Sequence, residues 1–348
     1  MFALVGLGID GIDSLTLKGI EIFKKSDLIY LDTYTTLIPK DFVSAFSEYI
    51  DKEVVSTDRA KLEDELGILL EQAKVKNVTL AVFGDPLFAT THQNFLIEAK
   101  KMGIPYIVVH NASIMSVLMT SCGLHPYKFG RVSTIARQMG TPATSVYFTL
   151  YDNLMRGMHS IFLLEFDTKN LEGVFPSSAF NLLKDAEKVY KLEAFTEDTL
   201  LIVACRIGRK DQEYYIGSVK EVEGIDFGEP PHTIIIPSRL HFTEEEALSF
   251  LFNVPKDKLV DNTEKLKRKT DYLVNKYVRR TREVLKFAEE KIQDQSRYRD
   301  LFENIECYLD DAIKFLNLGE EQLAMLSVGY AEGLLDSLRL QKILDLKW

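Results

Sequence analysis

Cysteine and long apolar runs are both scarce in this chain, and each shortage narrows what the protein can be. The three cysteines, Cys122, Cys205 and Cys307, are far apart and form no C-x-x-C pair. Their spacing argues against a disulfide framework or a zinc site and favours a reducing compartment. No apolar run approaches the roughly 18 residues of a membrane span. Met1 leads directly into a predicted strand without a basic leader, so we expect a cytoplasmic protein with no targeting segment.

Positive charge is also in deficit. The 42 lysines and arginines stand against 52 aspartates and glutamates, which gives a formal net charge of -10. This balance argues against a general binder of nucleic acid or of anionic membranes. With 46% hydrophobic and 27% charged residues, the 348-residue chain has an ordinary globular composition and enough length for two or three domains.

Short apolar runs alternate with amphipathic helical stretches over about the first 110 residues. The predicted strands cover residues 2–5, 28–31, 53–55, 78–83 and 106–109. The predicted helices lie near residues 16–25, 61–74 and 92–102. Such alternation predicts βαβ units and a mainly parallel sheet.

The stretch after the fourth predicted strand, Gly-Asp-Pro-Leu-Phe-Ala-Thr-Thr-His at 84–92, is the strongest candidate for a ligand site. Gly84 leaves room for a ligand beside the backbone, and Pro86 keeps Asp85 out of helical dihedral angles. A threonine can cap the helix that begins near His92. A carboxylate is thus expected at the carboxyl end of a strand, where open α/β sheets bind ligands. An ordinary strand-to-helix turn, whose aspartate satisfies local amides, explains the same residues.

The first turn offers a rival interpretation. Residues 6–11 read Gly-Leu-Gly-Ile-Asp-Gly, a literal G-x-G-x-x-G, and Asp32 ends the second predicted strand, about where a ribose-binding acid belongs. A nicotinamide-binding domain is therefore conceivable. The next helix, however, is predicted to start only near Thr16, so its N-terminus is too far from the glycines to hold a pyrophosphate.

A second βα region follows, after a hinge at which Asn111 or Ser113 can cap a helix that continues to Ser121. Its predicted strands cover residues 131–135, 161–166, 200–205, 214–218 and 233–236, with helices near 145–156, 179–187 and 243–252. We expect a second parallel-sheet lobe and a crevice between the two lobes. Titratable groups at strand ends here can be structural or catalytic; they are Glu165, Asp167 and His232.

The character of the chain changes after about Pro255. Residues 264–348 contain no proline and little glycine, and apolar residues recur at helical spacing, which predicts three helices in a hairpin or bundle. The first of these, at 264–282, is basic; it could dock on RNA or on an acidic partner, or be a solvated face. We expect domains at 1–110, 111–255 and 262–348.

Read together, these segments resemble the diphthine synthase family of class III, tetrapyrrole-methylase-like methyltransferases, over about residues 1–250. The likeness is carried by the string at 84–92, by His-Asn-Ala-Ser-Ile at 110–114, and by shorter motifs at 6–8, 16–19, 127–130, 157–159, 230–232 and 240–241. The stretch from Gly329 to Arg339 resembles a small archaeal helical domain of unknown function.

The resemblance implies an archaeal homodimer whose subunits have two αβα domains of the tetrapyrrole-methylase type, with a cleft between them. S-adenosylmethionine would bind folded in this cleft, without a metal. The substrate would be elongation factor 2, at a histidine that carries a 3-amino-3-carboxypropyl group. Trimethylation of the amino nitrogen of this group would give diphthine, a step of diphthamide biosynthesis. We expect no membrane partner, and nucleic acid at most at the basic helix.

Carried over position by position, the family's cofactor contacts imply a defined set of residues. They are Ile9, Asp85, Phe88, Ser113, Ile114, Leu164, Ile207 and His232. Phe88 departs from the family, which usually has a small aliphatic residue there. The resemblance assigns no general base, although Glu165, Asp167 or His232 could help the amine lose its proton. The alternatives are a methyltransferase of the same fold acting on a corrinoid precursor, and a non-catalytic protein that binds partners in translation.

Overall fold

The computed structural model describes residues 1–39, 41–58, 62, 66–137, 143–168, 170–265, 269–292 and 295–346. Parts of the predicted helices near 61–74 and 264–282 fall outside these residues. The chain forms two compact units, one made of Met1–Asn153 with Met158–Glu264 and the other of Leu154–Gly157 with Lys265–Trp348. Within the described ranges, no helix is both long enough and apolar enough to cross a bilayer.

The first five strands form one sheet, as predicted. They are β1 (Phe2–Gly6), β2 (Leu28–Asp32), β3 (Val54–Thr57), β4 (Val78–Val82) and β5 (Tyr106–Val109). Their order is β3-β2-β4-β1-β5, and all neighbouring pairs are parallel. Strands β1 and β4 are buried along their whole length, because apolar side chains cover both faces of a parallel sheet. The carboxyl ends of all five strands therefore meet at one edge.

Four α-helices accompany this sheet in the described residues. They are α1 (Leu17–Lys25), α2 (Phe42–Ile50), α3 (Leu66–Ala73) and α4 (Gln93–Lys101). Sequence reasoning missed α2, although its buried Phe42, Phe46 and Ile50 recur every four residues, which is a helical period.

The two predicted helix starts had different outcomes. Thr16 caps α1, and its hydroxyl accepts a hydrogen bond from the Gly19 backbone N at 3.0 Å, so the late start of this helix is confirmed. The prediction that a threonine caps α4 was wrong, because His92 occupies the N-cap position and its side chain makes no capping hydrogen bond. The Thr90 hydroxyl instead donates to the Pro86 carbonyl at 3.0 Å.

The second region contains seven strands and six helices in the described residues. The strands are β6 (Ser133–Ile135), β7 (Ser160–Leu164), β8 (Phe166–Asp167), β9 (Glu172–Gly173), β10 (Leu200–Cys205), β11 (Glu213–Ser218) and β12 (His232–Ile236). The helices are α5 (Ile114–Ser121), α6 (Thr144–Met155), α7 (Pro176–Tyr190), α8 (Val219–Val222), α9 (Phe242–Phe252) and α10 (Lys256–Lys265).

The expectation of a second parallel sheet was wrong. The sheet order is β11-β10-β12-β7-β6, and only the pair β6 and β7 is parallel. The seven residues 206–212 join β10 to β11, a connection too short for the crossover helix that a parallel pair requires. Because β12 runs opposite to both neighbours, its first residues lie beside the last residues of β7 and β10.

A buried charge network fixes the start of α9. The Glu244 carboxylate is fully buried and accepts hydrogen bonds from the backbone N of His125 and of His241, each at 2.7 Å. It also accepts from Lys128 Nζ, and from His159 Nε2 at 2.9 Å. Burial alone would raise the pKa of this carboxyl, but these donors together hold the pKa well below its usual range.

The hydrogen bonds also fix the protonation of His159. The Ser238 backbone N donates to His159 Nδ1 at 2.9 Å, so Nδ1 carries a lone pair and Nε2 carries the hydrogen that bonds Glu244. Burial lowers the pKa of this imidazole, which agrees with a neutral ring. Lys128, His159 and His241 belong to motifs that carry the family resemblance, so the structure gives these motifs a structural role.

The last 80 residues contain the three predicted helices. They are α11 (Lys269–Lys291), α12 (Gln295–Asn317) and α13 (Glu321–Leu340), and they share one apolar core. The basic face of α11 is partly used within this unit, because Arg282 pairs with Glu306 at 2.8 Å and with Asp310 at 2.5 Å on α12.

Candidate functional site

The residues that the resemblance assigned to the cofactor come together in the structure. Ile9 follows β1, Asp85 and Phe88 follow β4, Ser113 and Ile114 follow β5, Leu164 ends β7, Ile207 follows β10 and His232 begins β12. All eight line one cavity of about 280 Å³. This volume is close to the lower end of the roughly 300 to 1,000 Å³ common for small-molecule sites.

Sheet direction explains why six separate segments converge. The ends of β1, β4 and β5 meet because these strands are parallel. On the other side of the cavity, Cys205 at the end of β10 pairs with His232, and Leu163 of β7 pairs with Thr233. The antiparallel β12 therefore brings its first residues to the edge where β7 and β10 finish, which the wrongly predicted parallel sheet would not do.

Two glycine turns are joined at the floor of the site. The Gly8 backbone N donates to the Gly84 carbonyl at 3.2 Å, and the Gly84 N donates to the Gly8 carbonyl at 2.8 Å. Their φ angles of 74° and 73° lie in the left-handed region that favours glycine. A Cβ atom on Gly6 would lie 2.6 Å from the Gly84 carbonyl oxygen. Contact between the two turns therefore explains why glycine is required at positions 6 and 8, and no bound dinucleotide is needed to explain it.

Asp32, the ribose ligand of the rival interpretation, accepts its hydrogen bonds from the protein itself. Its side chain is fully buried and accepts hydrogen bonds from the backbone N of Tyr34 at 2.9 Å and of Thr35 at 3.2 Å. Its second oxygen lies 3.3 Å from His92 Nε2. Asp32 is absent from the cavity wall, which argues against the nicotinamide interpretation.

Asp85 joins the turn after β4 to the segment after β5. One carboxylate oxygen accepts from the Leu87 backbone N at 3.0 Å. The other accepts from His110 Nδ1 at 2.8 Å and from the Asn111 backbone N at 3.4 Å. The local role expected of an ordinary turn is therefore confirmed, and the same carboxylate also faces the cavity.

Ser113 starts the helix at the edge of the cavity. Its hydroxyl accepts from the Ser116 backbone N at 3.3 Å, while the Ser113 N donates to the Ser116 hydroxyl at 3.2 Å. This reciprocal cap confirms the predicted helix start and fixes Ile114 as the first helical residue.

Of the three titratable candidates, only His232 lines the cavity. Its Nε2 lies 3.2 Å from the Phe227 carbonyl oxygen; since a carbonyl can only accept, Nε2 carries the hydrogen and Nδ1 the lone pair. Burial lowers the pKa of this histidine, so its imidazole is neutral at neutral pH.

Glu165 and Asp167 are engaged elsewhere. Glu165 accepts from the Arg137 backbone N at 2.7 Å, and Asp167 accepts from the Asn170 side chain at 2.7 Å. Neither carboxylate is among the cavity-lining residues, so their position at strand ends reflects local structure.

Sequence reasoning missed the contribution of the loop after β2. Thr35, Thr36, Leu37 and Pro39 line the cavity, as does Arg209 in the connection between β10 and β11. The two segments touch, because Arg209 Nη2 donates to the Leu37 carbonyl at 2.7 Å. No spacing pattern in the sequence predicts this contact, because the two residues are 172 positions apart.

An α/β fold in which two five-stranded sheets place glycine turns and strand ends around one cavity is typical of enzymes that bind a small molecule at the sheet edge. Residues 1–223 match the model of the family Tetrapyrrole (Corrin/Porphyrin) Methylases, and the chain belongs to this family. Residues 276–344 match a second family model, described as a protein of unknown function (DUF357).

Relatives narrow the class further. The diphthine synthase of Methanocaldococcus jannaschii is 34% identical over 255 residues, which cover 72% of this chain and 98% of that protein. The diphthine methyl ester synthase of Homo sapiens is 32% identical over 278 residues, 74% of this chain and 96% of that one. A crystal structure of diphthine synthase matches with a TM-score of 0.66 at 27% identity, over 74% of this chain and 98% of the other. These likenesses confirm the predicted family, fold class and enzyme class, an S-adenosylmethionine-dependent methyltransferase.

Proposed function

We propose that this protein transfers methyl groups from S-adenosylmethionine to the 3-amino-3-carboxypropyl histidine of elongation factor 2, and so makes diphthine. One observation carries the proposal: the eight residues that the family resemblance assigned to the cofactor, on six segments of the chain, line a single cavity. The names of the relatives, which are enzymes for diphthine or its methyl ester, support the same substrate.

The cavity wall suits the cofactor. Rings and aliphatic chains that can cover adenine are supplied by Phe42, Phe83 and Leu163, and the carboxylates of Asp10 and Asp85 suit a sulfonium or ammonium cation. Gly84 also lines the cavity, so its backbone is accessible to a ligand there. We propose that all eight residues contact the cofactor, with Phe88 narrowing the pocket relative to an aliphatic side chain.

The chemistry asks for positioning more than for proton transfer. The bound sulfonium supplies an electrophilic methyl group for in-line displacement by a neutral amine, a reaction for which we expect no metal. The amine attacks in its neutral form, so the proton that it carries near pH 7 is lost to solvent or to a neighbouring group. Holding the reacting atoms in line can contribute as much as about 7 to 11 kcal/mol. Of the three titratable candidates only His232 lines the cavity, and we propose it as the group that takes up the amine's proton.

Mass spectrometry of the substrate protein tests the proposal. Elongation factor 2 with the unmethylated adduct is incubated with this protein and S-adenosylmethionine, and the modified peptide is weighed. We expect three methyl groups on the amino nitrogen; a fourth, lost on mild alkaline treatment, would identify a methyl ester instead. Elongation factor 2 with an unmodified histidine is the control. No gain of mass on the adduct would refute the proposal.

The family description favours one alternative, a methyltransferase acting on a corrinoid precursor. Methyl transfer to such a precursor but not to elongation factor 2 would establish it. A non-catalytic binding protein is separated by thermal unfolding, because a cofactor at 100 times its dissociation constant stabilises its binder by about 2.7 kcal/mol. We expect that stabilisation with S-adenosylhomocysteine.

We also propose the organisation that the resemblance implies: domains at 1–110, 111–255 and 262–348 in a cytoplasmic homodimer of archaeal origin. Two separate five-stranded sheets and a helical unit with its own core support the division. We propose no membrane partner, and no nucleic acid beyond the basic stretch at 264–282. Light scattering at micromolar concentration tests the dimer, and a mass equal to one chain would contradict it.

A further inference from the structure

Arg209 gives the cavity a cationic group that the cofactor assignments do not use. Among the described residues that line the cavity, Arg209 alone carries a permanent positive charge; the other charged side chains there are Asp10 and Asp85. His232 also lines the cavity but is neutral at neutral pH, because burial lowers its pKa. The cavity thus has carboxylates on one lobe and a guanidinium on the other.

The surroundings of this guanidinium leave its charge without an anionic partner in the described part of the chain. Its Nη2 donates to the neutral Leu37 carbonyl at 2.7 Å. The Asp211 carboxylate acts on it electrostatically, in the direction that raises its pKa, but that carboxylate is paired with Arg206 Nε at 2.8 Å. Arg206 Nη2 also lies 3.2 Å from the carboxylate of Glu213 at the start of β11, so both nearby carboxylates are paired with Arg206.

Burial makes this arrangement costly in the absence of a ligand. The pKa of Arg209 is lowered because burial disfavours its charged form, and guanidinium groups nevertheless stay protonated in proteins. A partly desolvated charge is stabilised by an anion, and a guanidinium binds a carboxylate through two parallel hydrogen bonds. The hydrogen bond to Leu37 uses one of the five N–H donors of the fork.

We infer that Arg209 binds the carboxylate of an α-amino acid group in this cavity. Two molecules in the reaction carry that group, the methionyl end of S-adenosylmethionine and the 3-amino-3-carboxypropyl arm of the substrate. The second source rests on the proposed function, whereas the first requires only cofactor binding. If Arg209 holds the substrate's carboxylate, it presents the amino nitrogen to the methyl group and shields the carboxylate from esterification.

Arg209→Gln removes the charge, Arg209→Lys keeps the charge without the fork, and Lys210→Gln is the matched control. Lys210 is the adjacent residue, is exposed and does not line the cavity. Calorimetry compares S-adenosylhomocysteine with methylthioadenosine, which lacks the amino acid group. If the cofactor is the source, R209Q weakens S-adenosylhomocysteine by about 10-fold or more, R209K weakens it less, and methylthioadenosine binds unchanged. Equal weakening of both ligands would indicate a general disturbance at Leu37 and overturn the inference.

The second arm measures methyl transfer to elongation factor 2 at saturating cofactor. If the substrate is the source, R209Q raises KM for the protein substrate by about 10-fold or more while S-adenosylhomocysteine affinity is unchanged, and K210Q behaves as wild type. An R209Q enzyme equal to wild type in both arms overturns the inference and leaves the proposed function intact. A wild-type enzyme inactive on elongation factor 2 refutes the proposed function, and the calorimetric arm still decides whether Arg209 binds the cofactor's carboxylate.

Discussion

Gly208→Ala tests whether the two lobes must meet closely at the cavity. Gly208 has a φ of 89°, and a Cβ atom there would lie 2.7 Å from Ile9 Cδ1, 2.8 Å from Cγ1 and 3.0 Å from Cβ. Ile9 lines the cavity on the opposite lobe. One of these three atoms is Ile9 Cβ, whose position is set by the backbone. A change of the Ile9 rotamer therefore does not relieve the clash.

The expected magnitude follows from two terms. Placing an L-residue in the left-handed region costs about 1 to 2 kcal/mol, and an extra carbon in a filled space costs about 1 to 3 kcal/mol. If the native geometry is kept, the free energy of unfolding falls by about 2 to 5 kcal/mol. If Ile9 is displaced instead, part of this cost appears as weaker cofactor binding.

Differential scanning calorimetry and titration with S-adenosylhomocysteine measure both effects. For a unit of this size each kcal/mol lowers Tm by about 2 to 4 °C. Gly224→Ala is the control, because a Cβ atom on Gly224 meets no atom within 4 Å. A G208A protein with wild-type Tm and wild-type affinity would refute the close approach of Gly208 to Ile9.

Two further predictions concern binding and pH. Asp85→Ala should weaken S-adenosylhomocysteine, because the carboxylate positions the turn after β4 through the Leu87 and Asn111 amides; an unchanged dissociation constant by calorimetry would contradict this role. The free energy of unfolding should fall as the pH drops below about 6.5, since burial lowers the folded-state pKa of His159 and His232 and the unfolded chain takes up those protons first. Glu244, whose folded-state pKa is held low, adds a further loss below about 4.5. Urea unfolding at a series of pH values checks this, and a stability independent of pH from neutral to about pH 5 would be the contrary result.

The fold of the first lobe was predictable because its signals are local. Buried strands such as β1 and β4 are short apolar runs, and the capped helix that begins after Thr16 was enough to argue against a pyrophosphate site. The cavity residues were predictable from family motifs. Strand direction in the second lobe was not predicted correctly, because an apolar run does not indicate which way its strand runs. The short connection before β11 was the one feature of the sequence that indicated an antiparallel pair.

Long-range polar contacts were also beyond the sequence. Glu244 receives hydrogen bonds from residues up to 119 positions away, and Arg209 reaches Leu37 across 172 positions. Polar pairs of this kind depend on how elements pack, and they follow no period along the chain. The motif at 157–159 carried only the family resemblance, and the role of His159 as a buried support for α9 emerged from the structure.

The central claim is that one cavity, lined by the ends of strands from both lobes, holds the methyl donor. A crystal structure of the protein with S-adenosylhomocysteine tests it most directly. We predict the ligand inside this cavity, in contact with the turn at Asp85 on one lobe and with Ile207 on the other. A ligand bound elsewhere, or a cavity left empty at saturating ligand, would contradict the account.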